Sequence, residues 1–179
     1  MSDGSISIRY AKAFLNYATD LQAEEDLYQK MRLFRENFSR HPDLDKALMS
    51  PVLSASDKEM LLSTAIGIEP EEVYIKIIRL LIKNHRERYL NRIALIYQEL
   101  YRKAKGITDV KVTTAVKVAK ELAAEIEKEI VSLVKGEYEI EYFTEEKIIG
   151  GYILEIDNTI YDASVRTELN KIKKELIKK

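Results

Sequence analysis

Six glycines and three prolines in 179 residues leave this chain almost without the residues that interrupt regular structure. Helix is therefore the default wherever apolar residues recur at helical spacing, and they do so over most of the first hundred positions. Residues 6–21 carry that spacing without a Gly or Pro. Leu27, Met31, Phe34 and Phe38 follow at steps of four, three and four, which predicts a second amphipathic helix closed by His41-Pro42. A short helix fits 43–49. Ser56-Asp57-Lys58-Glu59 has capping-box form ahead of Met60, Leu61, Leu62, Ala65 and Ile66, and Gly67 stands where that helix should end. A fifth helix is expected over 70–83, with Pro70 as its first residue, and a sixth over 87–105, stopped by Gly106.

The pattern changes after Gly106, which predicts a boundary between residues 1–105 and 106–179. Residues 109–115, rich in Val and Thr, read as a strand. Residues 116–134 read as a helix with Ala119, Leu122, Ala123, Ile126, Ile130, Leu133 and Val134 on one stripe. Residues 137–143 alternate polar and apolar as a half-buried strand does. Two more strands, 151–156 and 159–162, meet around Asp157-Asn158, a pair that tolerates the positive φ of a tight hairpin. Ser164 can cap a last helix striped by Val165, Leu169, Ile172 and Leu176. The fold class expected is mainly α: an N-terminal six-helix bundle followed by a small α/β domain with a short β-sheet and two helices.

Charge and composition exclude several functions. A net charge of −1, divided as +2 over 1–105 and −3 over 106–179, gives neither part the field that nucleic acid or an acidic membrane surface attracts. Without cysteine there is no disulfide, thiolate nucleophile or zinc–cysteine site. No apolar run approaches a membrane span, and the start has neither signal-peptide nor transit-peptide character, so a soluble chain working where it is made is expected. His41 and His85 each lack a second ligand one turn away and read as solvent-exposed helix-end residues. Gly150-Gly151 precedes a strand rather than a helix, which marks a bulge or a close backbone approach rather than a phosphate loop. Glu137, Glu139, Glu141, Glu145 and Glu146 are numerous enough for a divalent cation, yet a half-exposed strand displays the same residues. No catalytic residue, cofactor or metal is expected.

Two segments depart from a simple surface helix. On 6–21 the apolar residues spread over roughly 220°, about twice the stripe such a helix needs, with Tyr10, Ala13 and Tyr17 at one edge. On 73–83 only Lys76, Arg79 and Lys83 are polar, and they cluster. Such helices are either central in their own bundle or present a second apolar face to a partner helix.

Several stretches together resemble one family. Ile148-Ile149-Gly150-Gly151-Tyr152-Ile153-Leu154-Glu155-Ile156, followed by Ile160-Tyr161-Asp162-Ala163-Ser164-Val165-Arg166 and Leu169, resembles the C-terminal signature of the delta subunit of F-type ATP synthase, whose mitochondrial counterpart is the oligomycin-sensitivity-conferring protein. Arg9-Tyr10-Ala11-Lys12-Ala13-Phe14 with Ala18 resembles the family's first helix, Asn84-His85-Arg86 with Leu90, Ile93 and Tyr97 its middle signature, and Val112-Thr113-Thr114-Ala115 its first strand. The likeness runs from about residue 6 to the C-terminus. Asp157-Asn158 replaces the family's frequent Gly-Asp turn, and Glu155 and Tyr161 stand where a basic and an aliphatic residue are common.

The resemblance implies a non-catalytic stator subunit without cofactor. Its N-terminal domain would bind alpha-subunit N-terminal helices and its C-terminal domain the end of the b-subunit stalk, as one monomer per complex. It would neither bind nucleic acid nor insert into the membrane, and would sit at the cytoplasmic side of a bacterial inner membrane. In the family the first and fifth helices form the groove for the alpha-subunit helix, which makes Tyr10, Ala13, Phe14, Tyr17, Ile75, Ile78, Arg79 and Ile82 the candidate lining here. Gly150, Gly151, Asp162, Ser164, Val165 and Arg166 are the signature residues. The alternative is a soluble adaptor that uses the same groove for an unrelated helix.

Overall fold

A computed structural model describes residues 3–69, 74–157 and 159–177. The chain is mainly helical with one small four-stranded sheet, and it divides into two compact units, Met1–Tyr101 and Arg102–Lys179.

The first unit holds α1 (Asp3–Asp20), α2 (Glu24–Arg40), α3 (Asp43–Met49), α4 (Ala55–Ile66), α5 (Ile75–Lys83) and most of α6 (Leu90–Lys105). Its core is the residues that the helical spacing selects. Ala11, Phe14 and Ala18 of α1, Leu27, Met31 and Phe34 of α2, Leu62 and Ile66 of α4, Ile78 and Leu81 of α5, and Leu90, Ile93 and Tyr97 of α6 are all buried. Two tyrosines also knit distant segments. The Tyr74 hydroxyl donates to the Ala23 carbonyl at 2.8 Å and the Tyr97 hydroxyl to the Glu24 carbonyl at 2.9 Å. That one bond offsets the cost of burying the Tyr97 hydroxyl, and burial pushes its phenol well above the ordinary range.

Two boundaries in this unit differ from the sequence expectation, and a third falls outside the described residues. The cap of α4 is Ser54, not Ser56: Ser54 Oγ accepts the Asp57 amide and Asp57 Oδ2 accepts the Ser54 amide, both at 3.2 Å, a reciprocal box two residues earlier. Glu59 is thereby released for a different contact. α5 begins at Ile75; the expected start at Pro70 lies outside the described residues. The sixth helix opens with a 3-10 turn, Glu87–Tyr89, before α6 proper. Gly67, left-handed at φ 71°, closes α4 as its position suggests.

In the second unit, β1 (Thr108–Thr114), α7 (Lys120–Leu133) and β2 (Tyr138–Thr144) form a crossover, so β1 and β2 pair in parallel. β3 (Gly151–Ile156) and β4 (Thr159–Ser164) form an antiparallel hairpin, and β3 pairs antiparallel with β1, giving the order β2-β1-β3-β4. Helix α8 (Val165–Ile177) follows. α7 starts four residues later than the expected position 116, because the Thr114 hydroxyl donates to the Val116 carbonyl at 2.7 Å and Ala119 remains extended. Val110, Val112 and Leu154 on one sheet face pack with Ile126, Ile130 and Val134. The opposite face carries Asp109, Lys111, Glu139, Glu141 and Glu155, by the alternation of side chains along each strand.

The glycine pair is a close approach. Gly151 has φ 72°, and a β-carbon there would collide with the Ala163 carbonyl; the Gly150 carbonyl accepts the Val165 amide at 3.0 Å. Asp162 and Ser164 then cap α8: Asp162 Oδ1 accepts the Ser164 amide at 2.9 Å, Asp162 Oδ2 accepts the Thr167 hydroxyl at 2.7 Å, and Ser164 Oγ accepts the Thr167 amide at 3.3 Å.

Gly151→Ala should destabilise the chain by on the order of 3 kcal/mol in urea unfolding, from left-handed strain plus the backbone clash, whereas Ser54→Ala should cost about 1 kcal/mol from the lost cap. A third expectation concerns alkaline pH. The Tyr152 hydroxyl donates to the Glu129 carboxylate, and that bond, with burial, raises the phenol to about 12. The native state therefore holds this proton more tightly than the unfolded chain. Its contribution is intact below about pH 10 and is lost as pH rises toward about 12, so the urea midpoint should fall over that window, and less steeply in Tyr152→Phe.

Candidate functional site

The candidate residues of the first unit separate into three groups. Phe14, Ile75, Ile78 and Ile82 are buried, spent on the unit's own core or its lining. Tyr10 and Tyr17 are half-buried and Ala13 is exposed, one edge of α1 left toward solvent. Tyr10 packs edge-on against Phe14, ring centroids 5.9 Å apart, and its hydroxyl accepts from Asn84 Nδ2 at 3.2 Å, which ties α1 to the residue following α5. Ile8 of α1 and Leu80 of α5 are exposed as well.

Arg79 behaves differently from its apolar neighbours. It is exposed, and its Nε and Nη2 both donate to the Glu59 carboxylate at 2.9 to 3.1 Å, a bidentate pair across α4 and α5. That carboxylate holds the guanidinium protonated even more firmly than usual. Ile75, Arg79 and Ile82 lie at spacings of four and three and line two surface concavities beside α4. Nearby, Lys58 Nζ pairs with Glu87 Oε1 at 2.6 Å, both side chains largely buried, while Glu87 Oε2 is buried with no hydrogen-bond partner among the described residues. Periodicity within one helix does not identify Lys58, Glu59 or Glu87, because their partners lie 20 to 29 residues away.

The second unit presents an apolar strip and a charged sheet face. On α8, Val165, Leu169 and Ile172 are 39, 54 and 53% exposed, and Ile160 and Tyr161 of β4 are exposed beside the start of that helix. The stripe that the sequence predicts is therefore real but uncovered; Leu176 lies outside the described side chains. Of the signature residues, Gly150, Gly151, Asp162 and Ser164 build the turn into α8, and Val165 and Arg166 begin it on the surface. Across the sheet, buried Arg102 reaches Asp109 at 3.4 Å and Glu139 at 3.7 Å, and Lys111 faces Glu155 at 3.5 Å. Glu139 is thus engaged in an ion pair, and among the described residues no three His, Cys, Asp or Glu side chains converge as metal ligands. His41 and His85 are exposed, and no helix among the described residues is long and apolar enough to cross a membrane.

Comparison with known proteins bears on both units at once. The family described as ATP synthase delta (OSCP) subunit matches residues 6–176. ATP synthase subunit delta of Parabacteroides distasonis is 38% identical over 99% of this chain and 98% of its own length. The subunit delta of Bacteroides thetaiotaomicron is 35% identical over 100% of this chain and 97% of its own. A chain in the cryo-EM structure of the Toxoplasma gondii mitochondrial ATP synthase hexamer shares the fold, with a TM-score of 0.70 at 20% identity, covering 96% of this chain and 97% of that one. A match that runs through the helical unit and the sheet unit alike, with relatives above 30% identity end to end, leaves one assignment: the chain belongs to the ATP synthase delta (OSCP) subunit family.

Proposed function

We propose that this chain, a delta subunit of ATP synthase, is the non-catalytic link of the stator, joining the catalytic head to the b-subunit stalk and resisting the torque of the rotor. The observation that carries this reading is the family match across residues 6–176, which includes both compact units. A link of this kind needs two separate binding surfaces and no reacting group. Each unit offers exposed apolar side chains that its own core does not use.

In this reading residues 1–105 form a six-helix bundle that receives an N-terminal helix of an alpha subunit. Tyr10, Ala13 and Tyr17 supply the contact edge, Phe14 backs it, and Ile75, Ile78, Arg79 and Ile82 of α5 form the supporting side. Residues 106–179 receive the b-subunit stalk, for which the strip of Ile160, Val165, Leu169 and Ile172 is the surface best suited. The protein works as a monomer within the complex, holds no cofactor and no catalytic site of its own, and lies peripherally at the cytoplasmic side of the bacterial inner membrane. An adaptor for an unrelated helix is not favoured, since it would not account for a family match that extends through the sheet unit.

Titration calorimetry with a peptide of the alpha subunit's N-terminal helix tests the first contact. One-to-one binding is expected, weakened at least about tenfold (1.4 kcal/mol) by Tyr10→Asp with Tyr17→Asp and absent with a scrambled peptide. Equal binding of the scrambled peptide would support the adaptor instead, and no binding would remove the α1 edge as the site. For the second contact, Leu169→Asp and Ile172→Asp should leave urea stability within about 0.5 kcal/mol, because both side chains are already half exposed, yet abolish binding of a soluble peptide spanning the end of the b-subunit stalk.

A further inference from the structure

The strand order β2-β1-β3-β4 leaves the sheet two edges among the described residues, β2 and β4. β4 borders the exposed strip proposed above for the stalk, whereas β2, at the opposite edge, belongs to neither surface proposed so far. Its parallel pairing with β1 is unbroken over seven residues, from Thr108 beside Tyr138 to Thr114 beside Thr144. Alternate residues of a paired strand bond inward. The Glu137 carbonyl accepts the Thr108 amide at 2.9 Å and the Glu145 amide donates to the Thr114 carbonyl at 2.8 Å, so the odd-numbered residues turn their backbone toward β1. The amides and carbonyls of Tyr138, Ile140, Tyr142 and Thr144 therefore point outward, a row that no backbone group among the described residues takes up. Neither a proline nor a bulge closes this edge.

We infer that the free edge of β2 is a docking site for an extended segment of a partner protein, which adds a fifth strand and alternates basic with apolar side chains.

The alternation follows from the two faces that an added strand meets. On one face Tyr138, Ile140 and Tyr142 flank the core that the sheet shares with α7. Val110 and Val112 of the neighbouring strand are fully covered there, but Tyr138 and Ile140 are only partly buried and Tyr142 is 43% exposed. Burial and then the Glu127 carboxylate raise the Tyr142 phenol, which sets this flank of α7 beside that ring. Val131, one turn further along the flank, is 60% exposed. Apolar side chains of an added strand would complete the cover.

The other face is acidic. Arg102 is shared between Asp109 and Glu139, at 3.4 and 3.7 Å. Lys111 has Glu141 and Glu155 on either side in register, and reaches Glu155 at 3.5 Å. Two cations thus serve four carboxylates. Across one row the charges run negative at Glu155, positive at Lys111 and negative at Glu141, and the row ends at the open edge. A basic residue continues that order at cross-strand distance. Lys105, Lys117, Lys135 and Lys147 lie beyond the ends of the two strands in sequence, where Glu137, Glu145 and Glu146 offset them. Phe143, 46% exposed on this face, admits one apolar residue at the far end. The same carboxylates disfavour a second copy of this chain, because β2 against β2 would oppose glutamate to glutamate.

Hydrogen exchange resolved to single amides, in the free full-length chain and in the assembled ATP synthase, tests the inference. In the free chain the Ile140 and Tyr142 amides should exchange fast and those of Glu141 and Phe143 slowly. Assembly should slow Ile140 and Tyr142 about tenfold or more. Glu141→Gln should leave the urea midpoint of the free chain in place and reduce that slowing by about threefold, the scale of one partly exposed ion pair. The native chain has no cysteine, so a photoreactive crosslinker on Thr144→Cys, at an exposed position, should join only an extended segment in which basic and apolar residues alternate. Unchanged exchange of Ile140 and Tyr142 on assembly overturns the inference, as does equal slowing in Glu141→Gln. A crosslink to a helix, to an acidic segment or to a second copy of this chain also overturns it. Slowing confined to α8 rejects the β2 edge and leaves the proposed stalk contact standing.

Discussion

The first unit depends on how the α1–α2 junction is held. Ala23 and Glu24 lie at that junction, and their carbonyls accept from Tyr74 and Tyr97, hydroxyls that arrive from 51 and 73 residues further along the chain. Each bond lets a large ring be buried without leaving its polar tip unpaired. Together they fix α5 and α6 against the start of α2, so the apolar face of α5 is committed to the core. Tyr28, stacked on Tyr101 at 4.4 Å, extends the same seam along α6. What remains exposed after that commitment is an edge of α1, the concavities beside α4, and scattered side chains.

The second unit follows a different constraint. A parallel pair needs a crossover, and α7 supplies it while covering one face of the sheet. The close turn at Gly150 and Gly151 then directs the chain so that α8 starts from the hairpin's end, capped by Asp162 and Ser164. α8 begins well defined yet keeps its apolar stripe uncovered. The cap fixes its origin, while Val165, Leu169 and Ile172 remain exposed for the stalk contact proposed above.

Much of this was legible in the residues. Leu27, Met31 and Phe34 are buried as their spacing implies, Gly67 ends α4, and Asp157 at φ 49° begins the two-residue turn between β3 and β4. What was not legible depends on contacts distant in sequence. Ser54 and Ser56 are equivalent in composition, and only the reciprocal bonds with Asp57 decide between them. A wide apolar arc says that a helix has two apolar neighbours without saying whether the second is its own chain; for Ile75, Ile78 and Ile82 the neighbour is largely their own unit. Arg79 stands out as one of the few polar residues of an apolar segment, but its partner Glu59 cannot be named from that helix alone. The amphipathic stripe of α8 is plain in the sequence, while its exposure depends on what the sheet leaves unpacked.

The central claim is that the chain transmits torque and performs no chemistry of its own. The most direct measurement is proton pumping by membranes carrying ATP synthase from which this chain has been removed, followed by its addition back. ATP hydrolysis by the head should continue without the chain while hydrolysis-driven pumping stops, and the purified chain should restore pumping. Pumping that persists undiminished in its absence would contradict the account.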